Sequence, residues 1–292
     1  MVLYLTEEEV GSLLTLRDAI RAVEDAMARL GRGEAVNRPR QRVAVDRTTM
    51  HLMPAALPAT GFMGYKVYTT GPGGARFWLY LFDGSGTLKA IMEADRLGQI
   101  RTGAATGVAT RHLARPESRT VGMIGAGWQA RTQLAAVCAV RPIERARVWS
   151  RTAERLWAFC REMSAQLGIP VEPAASAEEA VRGADVVITI TSAREPVLRV
   201  DWLEPGQHLN VAGSNRATNR EVDEWVIGRA DLIVVDFLEQ ARLESGDLIA
   251  AEQAGTFRWD RAVELGAVLA GNIPGRRNPE EITLFKSNGL AL

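Results

Sequence analysis

With 292 residues, 47% of them hydrophobic and 24% charged, the chain is long enough for two domains, each with its own core. The 35 basic residues equal the 35 acidic ones, which leaves no cationic excess for binding nucleic acid through its phosphates and no acidic tail. No window approaches the apolar length of a membrane span, and the start, MVLYLTEEEV, lacks the basic region and apolar core of a signal peptide, so a cytoplasmic protein is expected. Cys138 and Cys160 lie in helical runs without partners at metal-ligand spacing and read as two reduced thiols; no metal site is expected.

Along the chain, Leu16, Ile20, Val23, Met27 and Leu30 recur at intervals of three and four, which predicts a helix stopped by Gly31. Four strand-like runs follow, QRVAVD, TMHLMPA, GFMGYKVYTT and FWLYLFD, with a hairpin-type turn at DGSG, Asp83 to Gly86. GQIRTGAATGVATRHLA reads as a helix whose small residues permit close approach of another backbone, with Arg101 near its opening. Beyond Pro116 the pattern changes: TVGMIG, RARVWS, IPVEPAA, ADVVITITS, HLNVAG and ADLIVVD are short apolar strands, most of them separated by helical segments. That alternation predicts a parallel sheet covered on both faces. The expected fold is α/β, with a parallel-sheet domain over 117–270 and a second α/β domain over 1–116, completed by 271–292.

Gly125-Ala126-Gly127-Trp128-Gln129-Ala130 has the form G-x-G-x-x-A between a strand and a helix. The first glycine allows the tight turn and the second admits a pyrophosphate to the backbone. The small third residue packs the helix on the strand, and the free amides and positive end of that helix favour the diphosphate. About twenty residues on, where an NAD site usually carries an acidic residue, the chain has Ser150-Arg151-Thr152. With no carboxylate to repel a 2′-phosphate and a guanidinium to bind it, NADPH is the expected cofactor, with NADH open; Arg151 could also simply cap a surface turn. Arg42, Lys66 and Arg101 are cations in suggestive settings, although any one of them alone reads as a solvated surface residue. His51 could shuttle a proton or pack within its strand.

RVAV with MHLMPA, GYKVY, LFDGSG, IRTGAATGVAT, GMIGAGWQA, ADVVITITS, HLNVAGSN and ITLFKSNGLAL occur in that order, and over almost its whole length the sequence resembles the ornithine cyclodeaminase/μ-crystallin family. The resemblance implies a Rossmann domain and a dimer-forming domain with the active site between them, and a substrate bearing a carboxylate next to an amine or imine carbon. By position it assigns Arg42, Lys66 and Arg101 to the substrate carboxylate, with Arg40 an alternative to Arg42. It assigns Gly125, Ala126, Gly127, Trp128 and Gln129 to the phosphate loop, and Ser150, Arg151 and Thr152 to the adenosine ribose. Thr191, Ser192, Val211, Ala212, Gly213 and Ser287 would line the nicotinamide half. Where ornithine cyclodeaminases carry an Asp, this chain has Ser214 followed by Asn215, which argues against cyclodeamination and places Ser214 on the substrate side; Asp223 lies too far along to replace the carboxylate.

The expected reaction is reduction by NADPH of a cyclic or simple α-imino acid, such as Δ1-pyrroline-2-carboxylate or Δ1-piperideine-2-carboxylate, in a homodimer. Arg42 and Arg101 would clamp the carboxylate, while Lys66, its pKa lowered by the neighbouring guanidinium groups, would donate the proton or only bind the carboxylate. Alternatives are an amino-acid dehydrogenase working on 2-oxo acids with ammonia or amines, a cyclodeaminase, and an NADPH-binding protein without catalysis.

Overall fold

The computed structural model describes residues 1–292. Two sheets organise the chain. The first has seven strands in the order Leu3–Leu5, Leu88–Glu93, Gly74–Asp83, Phe62–Gly71, Thr48–Leu57 and Val36–Asn37, with Gln41–Val45 also paired to Thr48–Leu57. Its long strands are antiparallel, and the register sets Lys66 opposite Leu79 on one side and Met53 on the other. The Asp83 carboxylate closes the expected hairpin turn by accepting the Ser85 and Thr87 backbone N–H groups, both at 3.0 Å.

The second sheet has eight strands, all parallel, in the order Val171–Pro173, Arg145–Trp149, Thr120–Ile124, Val186–Thr189, His208–Val211, Thr283–Lys286, Leu232–Val235 and Ala262–Glu264. Its five central strands, from Thr120–Ile124 to Leu232–Val235 in that order, are buried along nearly their whole length because both faces are covered. All six predicted strands are present. Thr283–Lys286 corrects the expectation that the chain from Gly271 completes the first domain, since it inserts between His208–Val211 and Leu232–Val235. The residues after it return to the first part of the chain: Leu290 joins the core of the first helices, and the Ala291 N–H reaches Asn37 Oδ1 at 3.2 Å.

The helix Leu16–Gly31 forms as predicted, its start capped by the Thr15 hydroxyl, which accepts the Asp18 N–H at 3.1 Å. It packs with Asp95–Leu113 over the second sheet, burying Ile20, Val23, Met27, Val108 and Leu113 with Val234 and Phe285. The division near Pro116 therefore separates the strands of the two sheets and not the helices, because the apolar faces of the early helices find their partner in the later sheet. In Asp95–Leu113 the small residues serve close packing: a Cβ on Gly103 would lie 2.5 Å from the carbonyl oxygen of Thr132, in the helix Ala130–Val140. Arg101 sits in the second turn of this helix and not at its opening. Both cysteines are free, and burial pushes the thiols up to about 12 for Cys138 and about 11 for Cys160, so neither is a nucleophile near neutral pH. No helix is long and apolar enough to cross a membrane.

Candidate active site

At the carboxyl end of Thr120–Ile124 the chain turns through Gly125, with φ of 118°, into the helix Ala130–Val140. A Cβ on Gly125 would lie 2.3 Å from the carbonyl oxygen of Ile190, so this turn admits only glycine. At Gly127 a Cβ would meet no protein atom within 4 Å; what a side chain there would fill is the groove itself. Gly125, Ala126 and Gly127 line that groove with Ser150, Arg151 and Thr152 at one end and Thr191 and Ser192 at the other, a shape and donor set that fit a dinucleotide. Arg155 lines it as well and escaped the sequence reading, although its spacing of four from Arg151 on a helix start is a usable signal. Trp128 departs from expectation: its ring is half exposed and lines neither this groove nor the neighbouring cavity, and its carbonyl accepts the Gln99 side-chain amide at 2.5 Å. Gln129 turns instead towards the neighbouring cavity.

That cavity, of about 290 Å³, lies where the groove meets the antiparallel sheet, and Lys66, Arg101, Ser214 and Ser287 all line it. Of the two candidate arginines, the structure places Arg40 at the cavity and Arg42 outside its lining. Arg40 is buried and lines the cavity, whereas Arg42 is one-third exposed and pairs with Glu244 Oε1 at 2.7 Å while donating to the Asn215 carbonyl at 3.0 Å. Arg40 also pairs with Glu244 and donates to the Asn288 carbonyl at 2.9 Å. Glu244 thus holds both guanidinium groups; burial raises its pKa while both arginines oppose that rise. Arg40 and Arg101 converge on one point, the position a Cβ would take on Gly289, at 3.6 and 3.5 Å.

Lys66 and Arg101 make no hydrogen bond or ion pair with any protein group. The Lys66 ammonium stands 5.1 Å from the ring centres of both Tyr68 and Phe77. Burial, then the charges of Arg101 and Arg40, push its pKa well below 10.5. Burial also brings Arg101 down to about 10, with Arg40 acting in the same direction and Asp236 against it. His51 stacks on Tyr68 with ring centres 4.2 Å apart and has Nε2 3.0 Å from Thr70 Oγ1. It is both packed and cavity-lining, and burial followed by the charges of Arg42, Arg40, Arg216 and Lys66 lowers its pKa to about 4, so the ring is neutral at pH 7.

Gly213 and Ser214 line the cavity, as does Ala212, but the Val211 side chain belongs to the core and does not. Ser214 is held from behind, its carbonyl accepting from Lys286 Nζ at 3.2 Å. Asp223 is engaged elsewhere, capping the helix Glu224–Arg229 through the Val226 N–H at 2.8 Å. The Ser287 hydroxyl donates to Asp236 Oδ2 at 3.1 Å, and the same oxygen accepts the backbone N–H groups of Asn288 and Gly289 at 2.8 and 2.6 Å. Asp236 and Glu244 went unnoticed in the sequence because an isolated carboxylate at a strand or helix end carries no local signature.

The sequence matches the ornithine cyclodeaminase/μ-crystallin family over residues 2–292. The chain belongs to that family. Among its relatives is a Δ1-pyrroline-2-carboxylate reductase of Bacillus cereus, 37% identical over 258 residues that cover 85% of this chain and 79% of the relative. In structure the chain is similar to the Thermococcus litoralis Δ1-pyrroline-2-carboxylate reductase in complex with NADH and L-proline, with a TM-score of 0.95 and 37% identity over 99% of this chain and 93% of the other. It is also similar to an archaeal alanine dehydrogenase dimer with bound NAD, with a TM-score of 0.93 and 34% identity over 99% and 91% of the two chains.

Proposed function

We propose that this member of the family is a nicotinamide-dependent reductase of α-imino acids, acting on a cyclic substrate of the Δ1-pyrroline-2-carboxylate class and yielding the L-amino acid. The observation that carries this reading is the pair Lys66 and Arg101, two desolvated cations without a protein anion in contact, facing a small cavity that adjoins the dinucleotide groove. A carboxylate is the ligand such a pair lacks. The names of the pyrroline-2-carboxylate reductases among its relatives support the same substrate class.

A reduced nicotinamide cofactor held in the groove by Gly125–Gly127, Ser150–Thr152 and Thr191 would supply the hydride for the imine carbon. Arg101 and Arg40 hold the carboxylate and so fix the orientation of that carbon, settling the entropy of alignment at binding rather than at the barrier. The arriving carboxylate is an opposite charge beside Lys66 and favours its ammonium form. Lys66 Nζ then gives a proton to the imine nitrogen, whose π electrons move onto nitrogen as the carbon is reduced, leaving an amine and a neutral lysine. Ser214, in place of a carboxylate, weighs against cyclodeamination.

Ser150, Arg151 and Thr152, with Arg155 beside them, favour NADPH over NADH, although the relatives named above carry NADH and NAD. A homodimer is supported by the exposed apolar residues Val43, Val45, Met50, Phe62 and Met63 on the strands of the first sheet, and by the dimer named for the alanine dehydrogenase. That likeness also keeps a second reading in view, reductive amination of a 2-oxo acid, since one cation cluster serves both substrates. The test is oxidation of NADPH and of NADH by the purified protein with Δ1-pyrroline-2-carboxylate, beside pyruvate plus ammonia. Turnover of the cyclic imine is expected. Turnover of pyruvate and ammonia alone would transfer the protein to the dehydrogenases, and binding of cofactor with no turnover of either would refute the reading. In the same assay Arg151→Ala is expected to raise the KM for NADPH about tenfold, the loss of one charge-assisted contact of roughly 1.4 kcal/mol, and to leave that for NADH within twofold.

A further inference from the structure

Glu221 lies outside both the groove and the cavity, is fully buried, and has no charged partner in direct contact. All four groups bonded to its carboxylate are donors. Oε1 accepts the Thr191 backbone N–H at 2.6 Å and the Thr191 hydroxyl at 2.8 Å. Oε2 accepts the Gly213 backbone N–H at 2.6 Å and the Thr189 hydroxyl at 3.1 Å. One side chain thus ties together the loops that leave the carboxyl ends of Val186–Thr189 and His208–Val211, the edge at which a parallel sheet presents its ligand site. The Glu221 carbonyl holds the far end of the first loop by accepting the N–H groups of Val197 and Leu198 at 2.8 and 3.0 Å. The loops are pressed together so closely that a Cβ on Gly213 would lie 2.3 Å from both Glu221 Oε1 and the Thr191 nitrogen.

Glu221 is itself held. Its backbone N–H donates to Asp247 Oδ1 at 2.7 Å, and Asp247 Oδ2 pairs at 2.9 Å with Lys286, whose ammonium also donates to the Ser214 carbonyl. The chain of contacts closes on the residue after Gly213, so the two loops and the strand that leads into Ser287 form one buried unit.

We propose that Glu221 is a positioning residue for the nicotinamide half of the cofactor, setting the spacing of Thr191 and Gly213 without touching the ligand. The inference rests on the dinucleotide reading given above. Glu221→Gln is the discriminating change because it preserves volume. Each carboxylate oxygen takes one backbone N–H, so an amide can satisfy either Thr191 or Gly213 and must set its own NH2 against the other.

The measurement is binding by calorimetry to Glu221→Gln and wild type, using two ligands: the reduced dinucleotide that binds wild type more tightly, NADPH or NADH, and the matching 2′-phospho-ADP-ribose or ADP-ribose, which lacks nicotinamide. The dinucleotide Kd is expected to rise about tenfold and that of the ADP-ribose ligand to stay within twofold. Equal changes in both, or none in either, would overturn the inference. Wild type that binds neither ligand would remove the dinucleotide reading and this inference with it. If Glu221→Gln does not fold, Thr189→Val removes a single donor from within the strand and is expected to weaken the dinucleotide alone, about threefold; an unchanged Kd would then refute the role.

Discussion

Replacing Lys66 by Met should make the ligand-free protein more stable and the enzyme worse. The change keeps an unbranched chain of similar length between Tyr68 and Phe77 and removes the charge. What is lost is the attraction of the ammonium to two rings, each 5.1 Å away. What is relieved is the cost of a cation desolvated beside Arg101 and Arg40. Because the folded pKa lies well below its ordinary value, the charged form is disfavoured at this site, and relief of that penalty is expected to outweigh the ring contacts. For a lysine whose folded pKa is depressed, the penalty is fullest below that folded value and fades as pH rises towards 10.5, where the unfolded chain also loses its proton. The gain in Tm for Lys66→Met is therefore expected to be larger near pH 6 than near pH 10. Substrate binding should move the other way. Loss of a charge-assisted contact to the carboxylate costs about 1.5–3 kcal/mol, roughly 10- to 150-fold in kcat/KM, and loss of the proton donor a further 10²-fold or more in kcat. Thermal unfolding across pH, with NAD(P)H oxidation beside it, reads both. A ligand-free variant less stable than wild type at pH 6, together with unchanged kcat/KM, would refute the view of Lys66 as a strained cation awaiting a carboxylate.

Gly127→Ala should leave the Tm within about a degree, because no protein atom lies within 4 Å of the new methyl group, yet weaken cofactor binding by tenfold or more; calorimetry with NAD(P)H checks it, and a destabilised variant with normal affinity would show that the open space belongs to folding rather than to the ligand. His51 has a folded pKa of about 4 against 6.5 when free, so the unfolded chain binds the extra proton first and stability falls as pH drops from 6.5 to 4. His51→Phe should remove part of that fall in urea titrations over the window, and an unchanged slope would show that the imidazole is not held neutral.

The local parts of this protein were legible in the sequence because their causes are local. The glycine turn of Gly125 is marked by a strand and a helix start within a few residues, and the helix Leu16–Gly31 by apolar spacing alone. Lys66 and Arg101 were found through family resemblance, and the structure brings them together although they come from a strand and a helix. Other features depend on distant partners that no short stretch encodes. Whether Arg40 or Arg42 enters the cavity depends on where Glu244 and the Asn215 and Asn288 carbonyls stand, from far along the chain. Thr283–Lys286 reads like any apolar strand, and only pairing with two strands of the parallel sheet assigns it there, bringing Ser287 and Lys286 to the site's edge. Glu221 looks like one more acidic residue until folding surrounds it with four donors. Sequence by itself determined the cofactor turn, the periodic helix and the strand alternation, whose energetics are settled by near neighbours. Tertiary structure alone decided which charges are buried against which, because desolvation and hydrogen-bond geometry arise only when remote segments pack.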